Sequence, residues 1–263
     1  MPHAPAAPRP SILITGAAGG FGHAVARRFA REGYFVGLTD LARHRPALEA
    51  LQAELGGEGA ASVHELDVTD EAQARDACAA FAETAGGLQV LYNNAGVMPA
   101  GDFESVPLSA SRLAIDVNFW GTVNVTHAAL PHLRATPGAH IVNVSSASAL
   151  HGNPELVTYS AAKRAVLSFS ESLDISLRGS GVAVSDLLPM YAQTALVSDQ
   201  QHALRRDPKP KITANQLAES VWGVVRSRRF RSYVGADTKV FAPASRLLPY
   251  RLRKWVTRRV LGW

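Results

Sequence analysis

Short runs of consecutive apolar residues alternate along the chain with longer segments in which apolar positions recur at helical spacing. The first run, residues 11–15, ends at a cluster of glycines, which is typical of a buried strand. By the same criteria we predict strands at residues 11–15, 34–39, 62–66, 88–92, 140–144, 182–187 and 232–234. We predict helices at residues 21–32, 47–55, 70–84, 109–133 and 158–178, and a capping box at residues 213–216 opens a further helix.

The order of these elements indicates the fold class. Strands and helices alternate, and the strands are continuous apolar runs, so we expect a parallel sheet with helices on both faces. Right-handed crossovers then give a doubly wound α/β fold of the Rossmann type, in three α/β/α layers, with its ligand at the carboxyl ends of the strands.

We expect a single folded domain, because nothing in the sequence resembles a linker between domains. The domain is predicted over residues 11–237, after a proline-rich flexible leader at residues 1–10 and before a basic amphipathic tail at residues 238–263. Residues 190–212 lack clear periodicity, and long segments of that kind are often binding loops, so a substrate loop is predicted there.

Composition narrows the class of protein. Of the 263 residues, 47% are hydrophobic and 19% are charged, which is the balance of a globular protein. The one cysteine excludes an internal disulfide, and we expect Cys78 to be a small buried hydrophobic residue. The nine histidines form no metal-binding motif, so we predict no metal site. No run of 18 apolar residues is present and the leader lacks the features of a signal peptide, from which we expect a cytoplasmic protein.

The net charge of +5 is unevenly distributed. Residues 1–204 carry 12 Lys and Arg against 19 Asp and Glu, a net charge of −7, whereas residues 205–263 carry 15 against 3, a net charge of +12. Within residues 244–263, five apolar residues form a helical stripe among basic residues. The stripe consists of Leu248, Leu252, Trp255, Val256 and Val260.

Two interpretations of this tail stay open. We favour packing over its own pocket or against a neighbouring subunit, and the alternative is contact with an anionic membrane surface. A nucleic-acid partner is not expected, because few aromatic residues are interleaved with the other basic cluster, at residues 226–231.

Residues 15–22 form a glycine-rich turn between the first strand and the first helix. Glycines allow a tight turn and let the backbone approach a pyrophosphate, which the N–H groups at the helix N-terminus then bind. A plain turn is the alternative, but the strand–turn–helix context favours a nucleotide. The cofactor contacts predicted from this turn are Gly16, Gly19, Gly20, Phe21 and Gly22.

Asp40 ends the second strand at the same predicted edge. A carboxylate there accepts hydrogen bonds from the adenosine ribose and repels the 2′-phosphate of NADP, so NAD is favoured over NADP. Arg43 and Arg45 lie close in the sequence and would soften this repulsion.

Two more polar segments follow the next strands. Asp67 and Val68 come after the third strand, where Asp67 either contacts the adenine or caps the next helix, and both interpretations stay open. Asn94, Ala95 and Gly96 follow the fourth strand and suit a cofactor wall, a role compatible with stabilising a turn.

A second group of residues suits proton transfer. Tyr159 and Lys163 are four residues apart at the start of a predicted helix and so share one face. A nearby ammonium favours the phenolate form of a tyrosine and makes it a better acid or base. Ser146 follows the fifth strand, and its hydroxyl would bond the substrate oxygen that Tyr159 protonates. Asn118 interrupts a predicted helix, and a water linked to Lys163 would satisfy its buried amide.

Together these motifs resemble those of the short-chain dehydrogenases/reductases in their compact, single-domain form. The resemblance covers about residues 11–235 and keeps the family order. The matching stretches are residues 15–22 (TGAAGGFG), Asp67-Val68, residues 93–96 (NNAG), Asn118, Ser146 and residues 159–163 (YSAAK). It implies an enzyme that transfers a hydride between the nicotinamide of NAD(P) and a secondary alcohol or ketone. It also implies a homodimer or homotetramer, and we expect Trp120 at a subunit contact.

The resemblance implies a role for each matching residue. Tyr159 would be the general acid/base, and Lys163 would favour its phenolate and bind the nicotinamide ribose. Ser146 would orient the substrate oxygen, and Asn118 would hold a water that relays protons. The residues that would receive the pyrophosphate and the adenosine ribose are Gly16, Gly20, Gly22 and Asp40.

One departure from the family pattern concerns the substrate. Met190 follows Pro189, where the family commonly has glycine, while Thr194 is retained. We expect Pro189 and Thr194 to contact the cofactor and the neighbouring pocket to take an apolar, moderately bulky substrate. The predicted substrate contacts are Ser146, Leu150, His151, Met190 and Tyr191.

Two other functions remain open. A nucleotide-binding regulatory or interaction protein would keep the fold without turnover, but it has no need of Ser146, Tyr159 and Lys163 together. A membrane-surface dehydrogenase of lipid-like alcohols would dock through residues 244–263.

Overall fold

The structure, a computed structural model, describes residues 9–150, 152–189, 212–235 and 249–261. Within these ranges, seven parallel strands form a sheet in the order β3-β2-β1-β4-β5-β6-β7. The strands are β1 (Ser11–Thr15), β2 (Phe35–Asp40), β3 (Ala61–Glu65), β4 (Val90–Asn93), β5 (His140–Val144), β6 (Ala183–Pro189) and β7 (Arg231–Val234). Each predicted strand is present, and the parallel sheet is confirmed.

Helices cover both faces of the sheet. They are α1 (Gly20–Ala30), α2 (Arg45–Leu55), α3 (Glu71–Ala85), α4 (Leu108–Ile115), α5 (Gly121–Ala135), α6 (Val157–Ser176), α7 (Ala214–Ser227) and α8 (Tyr250–Leu261). One apolar cluster joins α1, α2 and α7 to the sheet, and a second joins α3, α5 and the end of α6 to the other face. The three-layer fold of the Rossmann type is therefore confirmed.

The strand order places the predicted ligand site. β1 pairs with β2 on one side and with β4 on the other, so the order along the chain reverses beside β1. In parallel α/β sheets, ligands bind outside the carboxyl ends of the strands at such a reversal. The glycine-rich turn after β1 and the segment after β4 both begin at this point.

The helix predicted over residues 109–133 contains an irregular segment. A π-helical turn at Asp116–Trp120 joins α4 to α5. The side-chain amide of Asn118 donates to the carbonyl of Ala114, which in a regular α-helix would accept the backbone N–H of residue 118. Competition for that carbonyl accounts for the local change in hydrogen bonding, and such π-helical turns are frequent at functional sites.

Local signals near other helices are also confirmed. The side chain of Thr213 accepts from the backbone of Gln216, whose own side chain accepts from Thr213, which is the predicted capping box at the start of α7. Cys78 is fully buried, and burial raises the pKa of its thiol to about 12, so it is an unreactive core residue.

Candidate active site

Two glycines of the turn after β1 are required by its geometry. Gly16 has φ +67°, and a side chain there would meet the backbone of Ala95 at 2.9 Å. At Gly22 a Cβ would lie 2.5 Å from the carbonyl oxygen of Gly16. The turn therefore closes tightly against α1 on one side and the segment after β4 on the other.

The segment after β4 holds this turn in place. The hydroxyl of Thr15 accepts hydrogen bonds from the backbone N–H groups of Asn94 and Ala95 at 2.9 and 3.0 Å. The side-chain amide of Asn94 donates to the carbonyls of Thr15 and Gly16 at 3.0 and 3.1 Å. In the structure Asn94 thus supports the glycine-rich turn, the second role that the sequence allowed.

The N-terminus of α1 opens onto the same space. Gly19 is the N-cap residue and has no side chain with which to occupy the first N–H groups of the helix. Gly20, Phe21 and Gly22 form the first turn, one residue earlier than predicted. Uncapped N–H groups and the positive end of the helix dipole favour an anion at this position.

Asp40 lies beside the turn, as predicted. One of its oxygens, Oδ2, accepts from the backbone N–H of Ala18 at 3.0 Å. The other, Oδ1, accepts from Leu41 at 2.8 Å and lies 2.8 Å from Nδ1 of His44. Arg43 donates from Nε to Nε2 of His44 at 3.3 Å, which makes Nε2 an acceptor and assigns the ring proton to Nδ1.

His44 was missed by the sequence reasoning, although its spacing of four residues from Asp40 was a usable signal. Arg45 has a different role from the one considered for it. Its guanidinium pairs with Glu49 and Glu65 at 2.8 and 3.0 Å, and these pairs occupy it on the surface.

Asp67 does not cap the next helix, so that interpretation was wrong. The N-cap of α3 is Asp70, whose carboxylate accepts from the N–H groups of Ala72 and Gln73. Asp67 instead accepts from the backbone and the hydroxyl of Thr69 at 2.9 and 2.7 Å.

A cavity of about 410 Å³ lies next to Asp67, at the carboxyl ends of β2 and β3. Its lining residues are Leu41, Ala42, Glu65, Asp67, Gln73, Asp76 and Ala77. Val68 is buried and packs against Gly121, where a Cβ would lie 2.4 Å from a Val68 methyl carbon. Val68 therefore braces α5 at the edge of this region.

Lys163 is buried at the carboxyl edge of β5. The residue is 4% exposed, and its Nζ donates to the carbonyl of Val144 at 2.9 Å. Burial lowers the pKa of the ammonium to about 8, so the group stays predominantly protonated at pH 7. The hydroxyl of Ser145 donates to the backbone carbonyl of Lys163 at 2.8 Å, which ties α6 to the end of β5.

Tyr159 lies one helical turn before Lys163, in the first turn of α6. The Lys163 ammonium is 5.8 Å from the centroid of its ring, which confirms that the two side chains share a face. Tyr159 is 8% exposed and packs against Met98 and Leu156, so the ring has an apolar wall.

Ser146 follows β5 and is only partly buried, unlike its neighbour Ser145. Its hydroxyl oxygen accepts from the backbone and side chain of Ser148 at 3.2 and 3.0 Å and caps a short 3₁₀ turn at Ala147–Ala149. That turn packs against α6. The structure therefore places Ser146 at the same sheet edge as Tyr159, with its oxygen held by donors.

Asn118 is fully buried, with its amide group fixed by two donated hydrogen bonds. Nδ2 donates to the carbonyls of Val97 and Ala114 at 2.7 and 2.8 Å. Its Oδ1 atom has no hydrogen-bond partner within the described part of the chain. A Cβ on Gly96 would lie 2.6 Å from this oxygen and 3.6 Å from Nζ of Lys163, so both groups border the space beside Gly96.

A buried polar network beneath this edge was also missed. Asn93 donates from Nδ2 to Thr126 at 2.9 Å and to Oδ1 of Asn143 at 2.8 Å. Asn143 donates in turn to the hydroxyl of Ser170 at 2.9 Å. The network links β4 and β5 to α5 and α6, and its sequence signal was an asparagine within each of two apolar strands.

The predicted substrate residues are only partly described. Leu150 is 5% exposed and packs with Leu167 and Leu188 in a small core cluster, and its contact with substrate stays a prediction. Pro189 ends β6 and pairs with Val234 of β7. The remaining predicted contacts, which lie outside the described residues, are His151, Met190, Tyr191 and Thr194.

The chain matches known proteins over most of its length. Residues 10–205 match the family model of the short chain dehydrogenases. A 1-deoxy-11-beta-hydroxypentalenate dehydrogenase of Streptomyces exfoliatus is 36% identical over 88% of this chain and 84% of its own length. A sulfoacetaldehyde reductase of Chromohalobacter salexigens is 41% identical over 80% of this chain and 86% of its own. A short chain dehydrogenase/reductase of Burkholderia phymatum, solved in complex with NAD, has a TM-score of 0.79 at 26% identity and covers 90% of this chain and 92% of its own.

Proposed function

The chain belongs to the short-chain dehydrogenase family, and on that premise we propose that it transfers a hydride between NAD and a secondary alcohol or ketone, with Tyr159 as general acid/base. The observation that carries this proposal is the placement of Tyr159, Lys163 and Ser146 at the sheet edge that also carries the glycine-rich turn. A module that only bound nucleotide would have no need of a buried ammonium beside a tyrosine.

The residues present fit a dinucleotide. Gly16 and Gly22 bring backbone into a cradle that a Cβ would fill, and the uncapped start of α1 presents N–H groups suited to a pyrophosphate. A nicotinamide dinucleotide supplies the hydride when bound, while the protein supplies positioning and proton transfer.

The proton moves at the hydroxyl of Tyr159. During reduction of a ketone this hydroxyl gives its proton to the carbonyl oxygen, and during oxidation of an alcohol the phenolate takes it back. The protonated Lys163, 5.8 Å from the ring centroid, favours the phenolate electrostatically. Ser146 holds the substrate oxygen, because its own oxygen already accepts from Ser148 and its proton remains for donation.

Asn118 offers the next position in a proton path. Its Oδ1 atom and the Lys163 ammonium border the same space beside Gly96. A water molecule there would donate to Oδ1 and accept from the ammonium, which would satisfy the buried oxygen and link Lys163 to the proton relay.

Asp40 favours NAD over NADP. Oδ1 is engaged by Leu41 and His44, whereas within the described residues Oδ2 accepts one hydrogen bond, from Ala18, and keeps a lone pair for a ribose hydroxyl. A 2′-phosphate at that position would stand against a carboxylate. The neighbouring cavity of about 410 Å³ is a suitable place for the adenine, which is uncharged and tolerates its acidic lining.

An apolar substrate is supported by Met98 and Leu156, which pack with Tyr159. The named relatives are a dehydrogenase of 1-deoxy-11-beta-hydroxypentalenate and a reductase of sulfoacetaldehyde, so family membership by itself leaves the substrate open. We extend the proposal to a homo-oligomer. Suitable subunit contacts are Leu113 of α4 and Trp120, which lie seven residues apart on one face and are 49% and 51% exposed. A mass by light scattering above the 28.0 kDa of one chain tests this extension.

The test is a panel of secondary alcohols and ketones, followed at the NADH absorbance with NAD and NADP in parallel. We expect turnover with at least one apolar secondary alcohol or ketone, and a higher kcat/KM with NAD. Binding of NADH without turnover across the panel would favour the nucleotide-binding protein without catalysis.

A further inference from the structure

The C-terminal helix α8 is a feature that the proposed chemistry does not use. Of its 12 residues, five are Arg or Lys and none is acidic. Within the described part of the chain, no other element packs extensively against it. Packing of the tail over its own pocket or against a neighbouring subunit, which the sequence favoured, stays a prediction, since residues 190–211 and 236–248 lie outside the described part of the chain.

Two faces of α8 carry different chemistry. Leu252 and Trp255, three residues apart, share a face and are 45% and 58% exposed. Arg251, Lys254 and Arg258, at spacings of three and four, share the adjacent face and are also exposed. An exposed apolar face bordered by cations is the pattern of a helix that lies in a membrane interface.

From this pattern we infer that α8 docks the enzyme reversibly on an anionic lipid surface. Such a surface satisfies both faces at once, because the arginines and Lys254 meet lipid headgroups while Leu252 and Trp255 enter the boundary with the acyl chains. An acidic protein surface would pair with the cations but leave the apolar face in water. Tryptophan and tyrosine are also favoured at the headgroup level, and Tyr250 begins the helix, 67% exposed.

Charge outside α8 does not determine the docking. The helix carries five Arg and Lys, and since the whole chain has a net charge of +5, the residues outside α8 have a net charge of zero. We therefore attribute the attraction to the cations of α8, and docking is peripheral, reversible and sensitive to salt. No described helix has the length and apolarity to cross a membrane.

The experiment is flotation of the full chain with vesicles of phosphatidylcholine alone and of phosphatidylcholine with phosphatidylglycerol in equal parts. We expect binding to the mixed vesicles, at least about tenfold weaker binding to phosphatidylcholine, and about tenfold loss at high salt. A variant with Arg251→Gln, Lys254→Gln and Arg258→Gln should bind the mixed vesicles about 100-fold more weakly. A variant with Leu252→Ser and Trp255→Ser should lose about tenfold or more.

The matched control changes the net charge equally on the body, through Arg112→Gln, Arg134→Gln and Arg178→Gln, all at exposed positions. Its binding should equal that of the wild type, and thermal unfolding should show that all variants fold. Four outcomes would overturn the inference. They are no binding of the wild type, equal binding to both vesicles, equal loss in the control, and self-association without lipid that only the α8 variants lose.

Discussion

At the scale of single residues, Asp40 is the side chain to which we assign the proposed choice of cofactor. Its carboxylate joins the turn after β1, through Ala18, to the end of β2, through Leu41 and His44. The same group therefore fixes the local backbone and, under the proposed function, receives the ribose. Removing it should affect recognition of NAD more than the chemical step.

We predict that Asp40→Ala lowers kcat/KM for NAD about tenfold or more, which is the loss expected for hydrogen bonds to a charged group. The ratio of kcat/KM for NAD to that for NADP should therefore fall. Steady-state kinetics with both cofactors check this. His44→Gln is the control, because it removes the ring and keeps the carboxylate, and it should preserve the preference. A wild type that already prefers NADP would contradict the role given to Asp40.

Single residues also show what the sequence left undetermined. Tyr159 and Lys163 lie where their local motif places them, so spacing along one helix predicted their position. His44, Asn93 and Asn143 make their contacts through side chains whose direction depends on local turns or on pairing between strands distant in sequence. The choice of Asp70 over Asp67 as helix cap likewise depended on where α3 begins.

At the scale of elements, the glycine-rich turn shows how the packing of β1, α1 and the segment after β4 restricts side chains. Gly22 packs against Gly16 and Ala17, whereas a Cβ at Gly19 would make only ordinary contact, at 3.4 Å from the Gly16 oxygen. The two glycines lie in one motif but carry different constraints. Replacing each of them by alanine therefore distinguishes a packing requirement at one position from a general requirement for glycine in the turn.

We predict that Gly22→Ala lowers the free energy of unfolding by about 1–3 kcal/mol and weakens NADH binding about tenfold or more, because the added methyl displaces the turn. Gly19→Ala should unfold like the wild type. Denaturant titration and NADH fluorescence measure both effects. Equal stability of the two variants would show that the turn is looser than described.

Elements were predictable to different degrees. The strands were clear because strands buried on both faces are continuous apolar runs. The π-helical turn at Asp116–Trp120 was not, because apolar periodicity continues through it and only the buried side chain of Asn118 reveals the competing hydrogen bond.

At the scale of the whole molecule, buried titratable groups set the pH range of stability. His140 is 1% exposed, and its Nε2 lies 2.7 Å from the hydroxyl of Ser185. Since that hydroxyl donates to the carbonyl of Arg229, the imidazole Nε2 is the donor. Burial first, and then the charge of Arg228, lower the pKa of His140 from 6.5 to about 4.

The unfolded chain therefore binds more protons than the folded one between pH 6.5 and 4, and stability falls as the pH falls through that window. We predict that His140 accounts for a loss of about 2 kcal/mol between pH 7 and 5. His140→Gln, which keeps a donor, should lose correspondingly less over the same range. Urea titrations at both pH values test this, and parallel losses in the two proteins would contradict it.

The central claim is that the hydroxyl of Tyr159 moves the proton in a hydride-transfer reaction. Tyr159→Phe keeps the ring that packs against Met98 and Leu156 and removes only that hydroxyl. The matched control is Tyr34→Phe, because Tyr34 packs against the apolar cluster that joins α1, α2 and α7 to the sheet. The most direct measurement compares turnover with NADH binding by fluorescence in these two variants. We predict that Tyr159→Phe loses turnover by about 1,000-fold while its NADH affinity stays within about twofold of the wild type, and that Tyr34→Phe changes neither. Turnover of Tyr159→Phe within about tenfold of the wild type would contradict the account.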